Sequence, residues 1–140
     1  MAKEKYAGFW LRFVAYFIDA IVLFVGNFMT GFILGIAFYD VIEFIPDAFF
    51  SIIGILLGWL YFTLMESSVH QGTLGKMALG LKVTDYKGKR ISFGRATGRH
   101  FSKVISFITL GVGFIIIGFT KKKQGLHDMI ANCLVIRKKK

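Results

Sequence analysis

Three long apolar runs dominate the pattern of hydrophobic and polar positions along the chain. They cover residues 20–39, 48–65 and 104–120, and none of them contains Asp, Glu, Lys, Arg or His. A helix needs about 20 apolar residues to cross the hydrocarbon core of a bilayer. With their flanking turns, the first two runs predict transmembrane helices over about residues 9–36 and 47–65. The third apolar segment, residues 101–120, is marginal for one straight span.

The distribution of Lys and Arg predicts the orientation, because short cytoplasmic loops are enriched in both residue types. Lys3 and Lys5 precede the first run, the connection between the first two runs is acidic, and residues 66–103 hold eight basic residues. We therefore expect the N-terminus and the basic middle segment to be cytoplasmic, in a membrane that is expected to be a bacterial plasma membrane.

The basic tail, residues 121–140, is predicted to lie on this same side, which three full spans would not allow. A re-entrant hairpin with its tip at Gly111-Val112-Gly113 removes the conflict and is the favoured interpretation. Irregular backbone is tolerated at that depth only where protein or water satisfies it. A single short third span remains the alternative.

The middle segment is too polar to span a membrane. Alternating residues at 80–85 and 90–93, with a turn at 86–89, predict a short β-hairpin. Residues 133–136 are expected to add a third strand, because a lone hairpin is marginally stable in water. The predicted fold class is thus an α-helical integral membrane protein with a small cytoplasmic β-sheet, in a single domain of residues 1–140.

The basic residues beside the apolar runs predict a lipid partner. Arg95, Arg99 and Lys103 recur every four residues and share one face of a predicted amphipathic helix. Such a face suits anionic headgroups, and the same is expected of Lys121, Lys122 and Lys123.

Composition supports this environment. The chain is 55% hydrophobic and 19% charged with a net charge of +10, whereas a soluble domain carries about 25% charged residues. Because the basic clusters flank apolar runs, anionic lipid is favoured over nucleic acid.

Arg12 and Asp19 are the charged residues of the first helix, and placing a charged side chain in a bilayer costs free energy. They are seven residues apart, almost two turns, and therefore point the same way. The same arc of the helix holds Tyr16, Gly26, Asn27 and Thr30. Asp19 lies deeper than Arg12 and needs a partner, a proton or a cation, since ionised groups inside a bilayer are expensive. A structural ion pair and an ion-binding site are equally compatible with this pattern.

Two pairs of glycines have the spacing of helix-packing motifs, in which small residues let two backbones approach closely. They are Gly31 with Gly35 and Gly54 with Gly58. Packing of the two spans within one chain is favoured, and a homodimer interface is the alternative.

Enzymatic and metal-binding signals are weak. His70, His127 and Cys133 fit no zinc spacing, and Gly72-Thr73-Leu74-Gly75-Lys76 lacks the spacing of a phosphate-binding loop. We therefore expect no metal, no cofactor and no enzymatic activity.

Several short motifs occur in an order that resembles the RDD family of small membrane proteins. Arg12 and Asp19 match that family's arginine and first aspartate, and Gly72-Thr73-Leu74-Gly75-Lys76 followed by Gly80-Leu81-Lys82-Val83 matches its Gly-Thr-Pro-Gly-Lys stretch, with Leu74 in place of proline. Gly125-Leu126-His127-Asp128 matches a late motif and makes Asp128 the second aspartate. The resemblance runs from about residue 6 to residue 136.

The resemblance implies membrane transport as one function, because some members of the family look like sodium(potassium)/proton antiporters. In that hypothesis an oligomer exchanges a monovalent cation (Na⁺, Li⁺ or K⁺) for a proton at Asp19, helped by Asn27 and Thr30. Arg12 tunes this site, and Asp128 pairs with Arg12 or with another basic residue at the cytoplasmic mouth. The alternative is a scaffold or accessory subunit that transports nothing. There, Arg12, Asp19 and Asp128 form a structural charge network, and the basic surface binds anionic lipids or a partner protein.

Overall fold

Two long helices carry most of the apolar sequence in a computed structural model that describes residues 5–109 and 111–137. Helix α1 spans Phe9–Ala37, a short helix α2 spans Tyr39–Ile42, and α3 spans Asp47–Ser67. The mean hydropathy of the most apolar part is 2.1 in α1 and 2.0 in α3, and both helices are long enough to cross a bilayer. The two predicted spans are therefore confirmed, each to within two residues.

Only one end of each long helix packs against the rest of the chain. In α1 the buried residues are Arg12, Ala15 and Asp19, and in α3 they are Phe62, Thr63 and Glu66. We call residues 20–37 and 47–57 the outer segments; no residue in either of them is buried. A stack of exposed aromatic rings, Phe24, Phe28 and Phe32, follows one side of α1 through its outer segment.

The four glycines with packing spacing do not join the two spans within the chain. A methyl group placed on Gly31, Gly35, Gly54 or Gly58 would meet no neighbouring atom within 4 Å. Helices α1 and α3 instead approach near their packed ends, where the rings of Tyr16 and Phe62 stack with centroids 6.2 Å apart. The expected close packing of α1 on α3 at these glycines is thus not seen, and a homodimer interface there stays a prediction.

The third apolar run is divided between two helices. They are α5, Phe93–Ile108, and α6, Val112–Phe119. A short helix, α4, Leu74–Ala78, precedes them in the chain. The axes of α5 and α6 differ by 102°, so the pair is either a broken span or a re-entrant loop, as predicted. Gly111 caps α6 with a φ of +80°, a conformation that glycine adopts without steric cost, and it lies at the predicted tip.

A small antiparallel sheet lies beside the packed ends of the spans. Its strands are β1 (Lys5–Tyr6), β2 (Leu81–Asp85) and β3 (Cys133–Arg137), in the order β1-β3-β2. Val83 faces Val135 across β2 and β3. The sheet and both of these strands were predicted, but β3 is the central strand rather than an addition to a hairpin.

The predicted second strand of the hairpin, residues 90–93, is wrong. The turn at 86–89 does form, because the Asp85 carboxylate accepts hydrogen bonds of 2.8 Å from the backbone N–H groups of Lys87 and Lys89. The Ser92 side chain, however, accepts a hydrogen bond of 3.2 Å from the backbone N–H of Arg95 and caps α5. A helix start therefore replaces the strand, and β2 pairs with β3.

The hydrophobic core lies between the sheet, the start of α1 and α5. Its buried members are Ala7, Ala15, Leu81, Val83, Ile91, Ala96, Ala131, Cys133 and Val135. The helix α7, Leu126–Ile130, connects this core to α5 and leads into β3.

Candidate functional site

Charged side chains collect where α1 begins and α3 ends. Six of them are at most 9% exposed: Arg12, Asp19, Glu66, Lys76, Arg99 and Asp128. They come from five different helices, and five of the six form one connected set of ion pairs, which we call the charge network. Asp19 lies beside it with different partners.

Arg12, at the start of α1, ties this helix to the C-terminal part of the chain. Its Nε donates a hydrogen bond of 3.0 Å to the carbonyl of Ala7. Its other two nitrogens donate to the carboxylate of Asp128 and to the carbonyl of Lys123. One guanidinium therefore satisfies three acceptors, using its planar fork of donors.

Asp128 is the point at which two arginines meet. Besides the pair with Arg12, its Oδ1 accepts a hydrogen bond of 2.8 Å from Nε of Arg99, and its Oδ2 accepts one of 3.2 Å from the N–H of Gly125. Burial alone would raise the pKa of Asp128, but the charges of Arg12 and Arg99 outweigh it and hold that pKa well below its usual range. Asp128 is thus an ionised, fully buried carboxylate.

Glu66, in the last turn of α3, is the second carboxylate of the network. It accepts a hydrogen bond of 2.6 Å from Arg99 and another from the ammonium of Lys76. Burial lowers the pKa of Lys76 below its ordinary value, against the raising effect of Glu66. Sequence reasoning missed both residues, although the position of Glu66 directly after an uncharged run of eighteen residues was a usable signal.

Arg99 requires a correction, because it does not face lipid headgroups. It is 2% exposed and bridges Glu66 and Asp128, and so links α3 to α7 through α5. The reason is that the four-residue spacing of the basic residues follows the packed face of α5 from Arg99 onward. Lys103 is also largely buried, whereas Arg95, Lys121 and Lys122 are exposed and Lys123 is partly exposed.

Asp19 is held by three neutral donors. Its Oδ1 accepts hydrogen bonds of 2.8 Å from the hydroxyl of Tyr61 and from the backbone N–H of Gly75, and its Oδ2 accepts one from the hydroxyl of Thr73. Among residues 6–109 and 111–137, no Lys, Arg or His lies within 4.0 Å of this carboxylate. The partner that Asp19 needs is therefore the start of α4 together with α3.

Gly75 permits this contact. A Cβ atom at that position would clash with the carbonyl oxygen of Ala15 and would lie 3.0 Å from Cγ of Asp19. The Gly-Thr-Leu-Gly-Lys stretch is therefore a docking turn for α1. It supplies Thr73 and Gly75 to Asp19 and Lys76 to Glu66.

Asn27 and Thr30 do not join Asp19. Both are exposed in the outer segment of α1 and bond back to their own helix, to the carbonyls of Leu23 and Gly26 at 2.9 Å. A hydroxyl or amide in a helix interior commonly bonds to the carbonyl four residues earlier. The polar stripe therefore divides into a paired part around Arg12 and Asp19 and an outer part that bonds locally.

His127 adds a neutral ring to the network. Its Nε2 lies 3.4 Å from Oδ1 of Asp128 and its Nδ1 lies 3.5 Å from the hydroxyl of Ser106. Burial lowers the pKa of His127 to about 3, despite the nearby charge of Asp128. The ring is therefore uncharged at neutral pH and adds no further positive charge beside the two arginines.

Comparisons with known proteins identify relatives of this chain. Residues 6–132 match the RDD family. The chain is 40% identical over 154 aligned residues to "Uncharacterized protein YxaI" of Bacillus subtilis, which covers 96% of this chain and 99% of that protein. It is 30% identical to "Uncharacterized membrane protein YteJ" of the same organism, over 99% of this chain and 85% of that protein. No solved structure matches.

The family match includes Arg12, Asp19 and Asp128, the residues that the structure places at the base of the two spans. The chain therefore belongs to the RDD family, and it is a membrane protein.

Proposed function

We propose that this protein is a non-transporting membrane scaffold, or the accessory subunit of a larger assembly, built on the charge network. The observation that carries the proposal is the complete pairing of the two network carboxylates. Glu66 and Asp128 each contact at least two cations, and Arg99 contacts both. Ions that are locked to one another in this way cross-link helices and leave no carboxylate of the network open to a travelling cation.

The proposal includes an orientation and a lipid partner. The exposed Arg95, Lys121 and Lys122 lie at the same end of the spans as the sheet, and the loop that carries Asp40 and Glu43 joins the opposite ends. The positive-inside rule then favours a cytoplasmic N-terminus and sheet in the plasma membrane. The exposed basic residues would bind anionic headgroups on that side.

Assembly with further copies is part of the same proposal. The outer segments bury no residue, and the faces with Gly31, Gly35, Gly54 and Gly58 are free of close neighbours among the described residues. Small residues at four-residue spacing let helices from two chains approach closely in a bilayer. A homo-oligomer would bring these faces together.

Cation/proton exchange is the second candidate, and one observation favours it. Asp19 is held by neutral donors alone and borders a cavity, unlike Glu66 and Asp128 with their cationic partners. A carboxylate of this kind could exchange a proton for Na⁺, with the hydroxyls of Tyr61 and Thr73 as further oxygen ligands. Asn27 and Thr30 are too far along the helix to take part.

Proton flux in proteoliposomes tests the two candidates against each other. The purified protein would be exposed to Na⁺, Li⁺ or K⁺ gradients, with Asp19→Asn as the test variant and the exposed Asp40→Asn as its matched control. The scaffold proposal predicts no cation-dependent flux above that of empty liposomes. Flux in the wild type and in Asp40→Asn that disappears in a folded Asp19→Asn would overturn it in favour of exchange.

A further inference from the structure

A cavity of about 360 Å³ lies between the first turns of α1, the end of α3, the bend from α5 to α6, and α7. Its volume falls within the range of about 300–1,000 Å³ that is typical of small-molecule sites. Most of its wall is aromatic and apolar, from Phe9, Phe13, Tyr16, Phe62, Phe107 and Phe114. The charged and titratable part of the wall comes from three members of the charge network and from Asp19, Lys103 and His127 beside them; the network members are Arg12, Lys76 and Arg99.

The charges around this cavity do not balance. Two network carboxylates, Glu66 and Asp128, contact four cations: Arg12, Lys76, Arg99 and Lys103. Adding the nearby Asp19 still leaves four cations against three carboxylates. Positive charge that is removed from water without a counterion is costly, so an additional anion at this site would be stabilising.

Of these four cations, Lys103 has the largest share of unused hydrogen-bond donors. Its Nζ lies 4.0 Å from Oε1 of Glu66, an oxygen that already accepts a hydrogen bond from Lys76. The ammonium also sits 4.6 Å from the centroid of the Phe62 ring. Among the described parts of the chain, the ammonium donates no hydrogen bond, although it carries three donors. It borders the cavity and can therefore meet an anion there.

The position of the cavity indicates which kind of molecule would carry this anion. It lies at the packed ends of both spans, beside the sheet, which is where the hydrocarbon of a bilayer gives way to headgroups. A ligand at that level would have an anionic head toward Lys103 and a hydrocarbon chain against the aromatic wall. The exposed Phe13 and Phe107 extend this wall toward the lipid side.

We propose that this cavity binds one anionic amphiphile, a hydrocarbon chain that ends in a phosphate or a carboxylate, and that the ammonium of Lys103 binds its anionic head. This site differs from the exposed basic surface. It goes beyond the proposed function, because a bound amphiphile is compatible with a scaffold and with a transporter.

Native mass spectrometry of the full-length protein in a neutral detergent tests the proposal. The probes are dodecyl phosphate, dodecanoate and inorganic phosphate. We expect one equivalent of dodecyl phosphate or dodecanoate per chain, with inorganic phosphate failing to displace either probe at the same concentration. Tighter binding of dodecyl phosphate would identify a phosphate headgroup as the natural head, and tighter binding of dodecanoate would identify a fatty acid.

Lys103→Met removes the charge and nearly keeps the length of the side chain, and Lys87→Met makes the same change at an exposed position in the turn at 86–89. We expect Lys103→Met to weaken binding of dodecyl phosphate about tenfold, the effect of losing a charged hydrogen bond, and Lys87→Met to leave it unchanged. Equal affinity in Lys103→Met, an equal loss in Lys87→Met, or displacement by inorganic phosphate would each overturn the proposal.

A second variant covers the case in which Lys103→Met does not fold. Phe13→Ala removes an exposed ring from the cavity wall and leaves the charge network intact. The preference for dodecyl over butyl phosphate should be smaller in Phe13→Ala than in the wild type, because the longer chain loses its contact with this ring. Both proteins are measured in the same detergent, so the detergent does not account for a difference. An unchanged preference would show that the chain does not lie in the cavity.

Discussion

The packed ends of the two spanning helices and their outer segments are built on opposite principles. The packed ends bury charge, with Arg12 and Asp19 in α1 and Glu66 in α3, all joined by hydrogen bonds to α4, α5 and α7. The outer segments are apolar and bury nothing within the chain. Burial of apolar area by the protein therefore cannot position the outer segments. The bilayer or further copies of the chain must position them, while hydrogen bonds and ion pairs hold the packed ends.

This contrast also locates the sites at which a substitution should matter. A buried ion pair that loses one partner leaves an uncompensated charge, which is strongly destabilising. Substitution of an exposed apolar side chain that faces lipid should change the stability of the chain very little. Four predictions rank the two regions by the expected loss of stability.

Asp128→Asn should have the largest effect. It leaves Arg12 and Arg99 buried with Glu66 as the one ionised carboxylate of the network, and removal of one partner from a buried pair costs about 3–5 kcal/mol. We expect a large drop in melting temperature, or loss of the folded peak, by fluorescence-detected size-exclusion chromatography in detergent. The exposed Asp40→Asn is the control, and equal melting of the two variants would show that the network does not hold the base.

Gly75→Ala should cost about 1–3 kcal/mol, the usual range for overpacking. The new methyl group would meet the backbone carbonyl of Ala15, which cannot rotate away, so α4 must withdraw from Asp19. Gly98→Ala is a matched control inside α5, where nothing lies within 4 Å and alanine favours the helix. If Gly75→Ala melted like Gly98→Ala, the docking of α4 on α1 would be much looser than the structure indicates.

Acid should destabilise the packed ends of the two spans through His127. Its folded pKa of about 3 lies below the unfolded value, so its contribution to stability is fully present above about pH 6.5 and is lost as the pH falls toward 3. Between pH 7 and pH 5.5 this linkage predicts a loss of about 1 kcal/mol. His127→Gln should show a flatter dependence of melting temperature on pH over that interval. The exposed His70→Gln should keep the wild-type slope; a slope unchanged in His127→Gln would contradict the assignment.

Gly31→Ala in the outer segment of α1 should have the smallest effect on the single chain, within about 0.5 kcal/mol, since no neighbour lies within 4 Å of the new methyl group. Chemical cross-linking in native membranes, followed by electrophoresis, gives a separate measure of assembly. A change in cross-linked species with unchanged melting would place this glycine at an interface between copies. A large drop in melting temperature would instead contradict the separation of the two regions.

The local features of the fold were readable from the sequence. Apolar length predicted the two spans, alternation predicted a strand at 80–85, and glycine marked the break at Gly111. The strand at 133–136 was predicted because a lone hairpin is marginally stable. The residues at 90–93 were misread because a short alternating stretch does not distinguish a strand from a capped helix start. There the Ser92 cap prevailed.

The sequence by itself determined that the chain belongs in a membrane, where its spans lie and that Arg12 and Asp19 share a face. Only the tertiary structure decided which charges meet. Arg12 bonds a carboxylate 116 positions away, and Arg99 bonds one 33 positions away. Such separations have no local period or motif, because an ion pair depends on where helices pack rather than on neighbouring residues. For the same reason, Arg99 looked like a surface residue and Glu66 like the start of a loop, although both are central to the buried base.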